Sequence, residues 1–276
     1  MQKIEGRVAV VTGAASGIGR ATAKQLAERG CTLAAADIDE EGLASLAEEV
    51  RASGGTLSTH TIDVADRGQM AAFPDVVVGE HGHVHIVINN AGVALGQTVE
   101  ELSWEDFDWL VGINFWGVVH GCKFFLPYLE REDEAHIVNI SSMFGFAGLP
   151  SQGPYCATKA AVRSFSETLH AELGNSKVGV TSVHPGGIKT KIAHNGRFQD
   201  EEGRNSAIET FERFGTEPEV VARRILRAIE RNQLRVLITP ESRALDFAKR
   251  VFPVGTQRLV RRFWSRSRET EAQRIR

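Results

Sequence analysis

Short strand-like runs alternate along the chain with longer segments whose apolar residues recur at three- and four-residue spacing. The runs fall at 7–12, 32–37, 56–62, 84–88, 135–140, 178–184 and 234–238. The helically spaced segments fall near 17–29, 40–53, 66–80, 103–130, 155–173 and 217–231. Runs that stay apolar, instead of alternating with polar residues, belong to strands buried on both faces, which requires helices above and below a parallel sheet. The pattern therefore predicts a doubly wound α/β fold with right-handed crossovers. With no repeat, low-complexity tract or Pro/Gly/Ser linker, a single domain is expected over residues 1–240. Two regions break the rhythm: 189–216 is polar without a clear period, and 241–276 carries an extra basic, amphipathic pattern, read as a helical extension.

Composition narrows the class. With 42% hydrophobic and 24% charged residues, the chain is neither disordered nor a disulfide-stapled mini-protein. No uninterrupted apolar run approaches the roughly 20 residues of a membrane span. The N-terminal MQKIEGRVAVVTG lacks an apolar signal core, so a cytoplasmic protein is expected. Cys31, Cys122 and Cys156 are odd in number and widely spaced, which suits a reducing compartment and offers no paired-thiol metal site. Net charge is −3, yet residues 241–276 hold ten Lys/Arg against four Asp/Glu. The body is therefore acidic, and no nucleic-acid partner is expected.

The first strand runs directly into Thr12-Gly13-Ala14-Ala15-Ser16-Gly17-Ile18-Gly19 and then a helix. Glycines in that context permit a tight turn and close backbone approach, and free amides at the helix start attract a pyrophosphate. The second strand ends at Asp37, 18 residues after Gly19. A carboxylate there accepts hydrogen bonds from the adenosine ribose and repels the 2′-phosphate of NADP. No Arg or Lys lies at 36–41, and Ser16 stands where a basic residue would help NADP, so NAD is the expected cofactor. The alternative reading of Asp37 is a cap for the next helix.

Taken together, the chain resembles the short-chain dehydrogenase/reductase family over roughly residues 5–240. The motifs that carry the resemblance occur in order: Thr12-Gly-x-x-x-Gly17-x-Gly19, Asp63-Val64, Asn89-Asn90-Ala91-Gly92, Asn114, Ser142, Tyr155-x-x-x-Lys159 and Pro185-Gly186. The resemblance implies a Rossmann fold and a set of roles. Asp63 and Val64 contact adenine; Asn90, Ala91 and Gly92 line the adenosine and central part of the cofactor; Ile188, through its backbone, and Thr190 face the nicotinamide carboxamide. It also implies that Tyr155 is the general acid/base, that Ser142 holds the substrate oxygen, that Lys159 binds the nicotinamide ribose and that Asn114 supports a proton-relay water. A homo-oligomer, dimer or tetramer, is implied as well.

Physical chemistry supports the central pair. Tyr155 and Lys159 are four apart on a predicted helix, so their side chains share a face. A free phenol titrates near 10, and bringing it towards 7 needs about 4 kcal/mol, to which a nearby ammonium and a positive nicotinamide both contribute. The resulting expectation is NAD-dependent interconversion of a secondary alcohol and a ketone. The alternatives are an NADPH-dependent carbonyl reductase and a non-catalytic dinucleotide-binding regulator.

Met143, Phe144, Phe146, Leu149 and Pro150 follow Ser142 and predict an apolar substrate pocket, with 189–216 as its lid. The substrate is then a lipophilic alcohol or ketone. His85 stands where many relatives carry an aspartate and reads as structural; Cys156 reads as a packed small residue. His81, His83 and His85 alternate like a metal tract but lead into a strand without a convincing fourth ligand. They read as a solvated loop, and no metal is required. The tail, Arg243–Phe252 and Arg258–Trp264, reads as a pocket cover or packing surface in preference to a membrane contact.

Overall fold

A computed structural model describes residue 1 and residues 3–274. The first half of the chain alternates strand and helix: β1 (Val8–Thr12), α1 (Gly17–Glu28), β2 (Thr32–Asp37), α2 (Glu40–Ala52), β3 (Thr56–Thr61), α3 (Arg67–His81) and β4 (Ile86–Asn89). The second half continues with β5 (Leu95–Gly96), α4 (Trp104–Val111), α5 (Gly117–Leu129), β6 (Ala135–Ile140), α6 (Gly153–Glu172) and β7 (Val178–His184). It ends with β8 (Arg197–Phe198), α7 (Glu201–Phe214), α8 (Pro218–Glu230), β9 (Arg235–Leu237), α9 (Pro240–Val251) and α10 (Pro253–Arg274).

Seven strands form one parallel sheet in the order β3-β2-β1-β4-β6-β7-β9. Alternate side chains of β1 enter opposite cores. Val8 and Val10 pack with Phe73, Phe125 and Val162 on one face, and Ala9 and Val11 pack with Leu26, Leu46 and Ile225 on the other. That two-sided burial is why the strands read as continuous apolar runs. The winding reverses between β1 and β4, and the crevice beyond the strand ends at such a switch point is where doubly wound sheets take ligands.

Local signals set the ends. Asp66 caps α3 by accepting from the amides of Gly68 and Gln69, and Gly82, at φ +79°, turns the chain out of it. The segment 103–130, expected as one helix, contains a π turn over Gly112–Trp116 that separates α4 from α5. The whole rod Trp104–Leu129 is long and apolar enough by composition to cross a membrane, but Val118, Cys122, Phe125 and Leu129 bury it against the sheet.

Two expectations need correction, and the tail gains detail. The stretch 189–216 is not irregular throughout, because it holds α7, capped by Asp200. None of α7's residues is fully buried, so core periodicity is weak there. The tail, expected as a helical extension, is two helices broken at Phe252-Pro253, where proline lacks an amide to continue the first. The histidine tract is a solvated loop only at His83. His85 is buried immediately before β4, in the middle of the sheet, where its Nδ1 accepts from the Val8 amide at 3.1 Å, a structural role. His81 ends α3 and meets Ser58.

Candidate active site

The turn after β1 is built for close approach. Gly13 (φ +66°) and Gly17 (φ +53°) adopt the left-handed region, and a Cβ on either would strike Asn90 at 2.7 Å or Thr190 at 2.9 Å. A Cβ on Gly19 would lie 2.0 Å from the Gly13 carbonyl oxygen, so α1 can rest on the turn only with glycine there. Ser16, the cap of α1, uses no side-chain bond on the first-turn amides, which leaves them for a ligand. Asn90 holds the opposite wall by donating to the carbonyls of Thr12 and Gly13 at 2.9 and 3.1 Å. Thr12 Oγ1 accepts from the amides of Asn90 and Ala91.

The turn opens into a cleft of about 880 Å³ whose wall includes Ser16, Gly17 and Ile18 at one end and Asp37, Asp63 and Val64 beside them. Asp37 accepts from the amides of Ala15 (2.9 Å) and Asp39 (3.1 Å). The cap of α2 is Asp39, not Asp37, so the capping alternative for Asp37 fails. Asp63 accepts from the Ala65 amide at 2.9 Å, which fixes the turn that presents Val64. Arg20, one turn into α1, is a basic side chain close to this end that sequence reading passed over. Its guanidinium is engaged by the carbonyls of Ala15 and Gly42, by Ser45 and by Glu49.

At the other end Ser142, Tyr155 and Lys159 converge with Gly92, Pro185, Gly186, Ile188 and Thr190 on the same wall. Lys159 is buried, donates to the Ile140 carbonyl at 3.1 Å and lies 5.7 Å from the centre of the Tyr155 ring. Burial draws its ammonium down to about 8. Burial also pushes the Tyr155 phenol up to about 12, while a hydrogen bond with Ser142 pulls the other way. Desolvation outweighs the Ser142 bond, so the phenolate depends on the two positive charges expected to favour it, the Lys159 ammonium and the nicotinamide of a bound cofactor.

Asn114 and Gly19 do not line the cleft. Asn114 sits in the π turn, fully buried, and its amide clamps the main chain of Val93 with bonds of 2.8 and 2.9 Å. A Cβ on Gly92 would fall 3.1 Å from Asn114 Oδ1 and 3.4 Å from Lys159 Nζ, so these two side chains flank one glycine. Gly186 is equally confined, by Thr239 and Glu241.

Sequence reading missed a relay of contacts behind the serine. His184 Nδ1 lies 3.3 Å from the Ser142 carbonyl and its Nε2 3.1 Å from Ser182 Oγ. Burial holds this imidazole down to about 3, so it is neutral and donates through Nδ1. Phe146 packs on His184 at 4.7 Å, Arg235 stacks on Phe146 at 4.7 Å, and Asp246 of α9 takes Arg235 in a two-point ion pair. The first tail helix therefore braces the loop that carries Ser142.

The apolar residues after Ser142 separate into three places. Met143 and Phe144 line the cleft, with Phe144 edge-on to Tyr155. Phe146 turns inward to His184. Leu149 and Pro150 line a separate hollow of about 450 Å³ beneath Val254, Val260 and Trp264 of α10. Trp109, Phe211 and Phe214 complete the apolar wall. The lid is pinned by the short β5–β8 ladder and by Arg197, which pairs with Asp106 at 2.7 Å and lies 4.2 Å over Trp109.

Comparisons with known proteins agree with this geometry. Residues 7–201 match the profile of the short chain dehydrogenase family. A protein named as an oxidoreductase, SadH of Mycobacterium tuberculosis, is 42% identical over 264 residues, 94% of this chain and 96% of that one. A crystal structure of a short chain dehydrogenase/reductase from Burkholderia phymatum in complex with NAD superposes with TM-score 0.84 at 34% identity, covering 91% of this chain and 95% of that one. An alcohol dehydrogenase from Thermococcus sibiricus, complexed with 5-hydroxy-NADP, superposes with TM-score 0.72 at 28% identity, covering 84% and 94%. The chain belongs to the short-chain dehydrogenases, oxidoreductases with a Rossmann-type sheet and a dinucleotide cleft.

Proposed function

We propose that the protein interconverts a lipophilic secondary alcohol and its ketone, with NAD as hydride partner. The observation that carries this reading is the meeting of Ser142, Tyr155 and Lys159 at one end of a cleft whose other end presents the glycine turn and Asp37. Free first-turn amides and a wall with no room for a Cβ fit a nicotinamide dinucleotide. When bound, its nicotinamide accepts or gives the hydride. Tyr155 takes the hydroxyl proton in oxidation and returns it to the carbonyl oxygen in reduction, Ser142 holds that oxygen, and the Lys159 ammonium favours the phenolate.

Trp109, Met143, Phe144 and Phe211 support an apolar substrate; the charged groups of the wall near them, Lys191 and Glu241, are solvent-exposed. The test is NADH formation by the purified protein across a panel of lipophilic secondary alcohols, with NADP in parallel. Turnover with NAD on apolar alcohols is expected. Activity confined to small charged hydroxy acids refutes the substrate class, NADP preference favours the carbonyl-reductase reading, and dinucleotide binding without turnover in either direction favours a regulator.

The Asp246–Arg235–Phe146–His184 relay gives the tail a role in the same reading. Asp246→Asn is expected to lower kcat by the roughly 2- to 30-fold that 0.5–2 kcal/mol of coupling represents. Dinucleotide affinity, set at the far end of the cleft, should hold. Titration fluorimetry beside steady-state rates separates the two; an unchanged kcat removes the relay from catalysis. Solvent-exposed Trp104 and Trp116 on the α4–α5 rod support a homo-oligomer, and three buried free thiols suit the cytoplasm. Nothing in the site calls for nucleic acid.

A further inference from the structure

Ser58, His60, Glu80 and His81 take no part in the dehydrogenase site. β3 is an edge strand of the sheet, and Ser58 and His60, two apart, share the face that α3 covers; the His60 ring lies 5.0 Å from Phe73. Glu80 and His81 close α3 immediately before Gly82. Three ligand atoms meet there, His60 Nε2, His81 Nε2 and a Glu80 carboxylate oxygen, all within 4.8 Å of one another. Both imidazole nitrogens point at one hydroxyl, Ser58 Oγ, at 2.7 and 2.8 Å. The carboxylate oxygen stands 3.6 Å from one and 3.8 Å from the other. The imidazoles are 9% and 11% exposed, the Glu80 side chain 46%, so solvent reaches the group past the carboxylate.

We propose that these residues form a zinc-class divalent cation site, with His60 and His81 binding through Nε2, Glu80 through its carboxylate, and the Ser58 hydroxyl or a water as fourth ligand. Four-coordinate zinc holds such ligands at roughly 2.0–2.2 Å, which sets neighbouring ligand atoms roughly 3.3 Å apart. The carboxylate-to-imidazole separations of 3.6 and 3.8 Å are close to that spacing, so small side-chain adjustments close the shell. Two imidazoles and one carboxylate suit zinc, whereas magnesium and calcium take six or more oxygens.

A second cluster in the chain shows what disqualifies a site. His83, His85 and Glu132 also converge. There the Val8 amide donates to His85 Nδ1 at 3.1 Å, which puts the proton of the neutral ring on Nε2, the atom facing Glu132 at 3.3 Å. Ligation through Nε2 demands loss of the amide bond or a doubly deprotonated ring. No such bond holds His60 or His81 among the described contacts. A cation on the first cluster ties an edge strand, unpaired on one side, to the end of its covering helix. It does so three residues before Asp63.

The test uses the full chain, stripped with a chelator and titrated with zinc against a chromophoric competitor, with Tm followed as zinc is added. One zinc per chain at micromolar affinity or tighter is expected, with Tm rising as binding to the folded state requires. His60→Ala/His81→Ala should abolish both effects. Glu80→Gln should weaken binding by more than the roughly 10–100-fold that losing an outer partner of a ligand costs. His83→Ala should change neither. Glu80, about half exposed, carries the test if the histidine pair proves necessary for folding. Absence of zinc binding overturns the proposal; so does binding that ignores Glu80→Gln or that disappears with His83→Ala.

Discussion

Tyr155→Phe is expected to lower turnover about 10²- to 10⁴-fold, the usual contribution of a positioned proton donor or acceptor, while the protein still binds its dinucleotide. The substitution removes one oxygen and keeps the ring that stands edge-on to Phe144 at 6.2 Å, so the wall of the cleft is preserved. Steady-state rates in both directions, beside a fluorescence titration of cofactor, separate chemistry from binding. A variant that turns over at the parental rate removes Tyr155 from proton transfer. The pH dependence has a definite sign. Oxidation needs the phenolate, and burial pushes the Tyr155 phenol up to about 12, so oxidation should accelerate as pH rises through the alkaline range. Reduction needs the proton on the phenol and should slow over the same range. Burial draws the Lys159 ammonium down to about 8, so it favours the phenolate below that pH, and Lys159→Ala should cost oxidation most there.

Much of this is legible in the sequence alone. Strands buried on both faces announce themselves as unbroken apolar runs, and the first and second strands emerge at residues 8–12 and 32–37, close to or at the expected limits. The glycine turn and the Tyr155–Lys159 spacing were legible because each is local: one turn of chain, or one turn of helix. What the sequence hid was either non-local or two-sided. Nothing adjacent to Ser142 points to Asp246, 104 positions away, because the path runs through Arg235, Phe146 and His184 on separate elements. The π turn at Gly112–Trp116 shifts register inside an otherwise helical pattern, and periodicity cannot report a single inserted residue. α7 left a faint signal that was passed over, Asp200 as a cap followed by Ile208, Phe211 and Phe214 at threefold spacing. Those phenylalanines face the cleft instead of the core, so the helix lacks the wide apolar stripe by which buried helices are read.

Replacing Asp37 with alanine and Ile38 with arginine is expected to shift cofactor preference from NAD towards NADP. Ile38 is 68% exposed on the cleft wall beside Asp37, so arginine there displaces no core contact. Loss of hydrogen bonds to a charged acceptor costs about 1.5–3 kcal/mol, roughly 10- to 150-fold in NAD affinity. For NADP the same change removes the repulsion between two negative groups and supplies a guanidinium that grips phosphate at two points. Asp37 also accepts from the amides of Ala15 and Asp39, so its loss loosens the turn for both dinucleotides alike. The informative quantity is therefore the ratio of kcat/KM values for NAD and NADP, in which that common loss cancels. Arg20 cannot substitute for the introduced arginine, since its guanidinium is bound to the carbonyls of Ala15 and Gly42 and to Glu49. A ratio that stays within about threefold of the parent would place cofactor discrimination elsewhere on the wall; a reversal would locate it at the end of β2, where a single carboxylate both receives the ribose and excludes the phosphate.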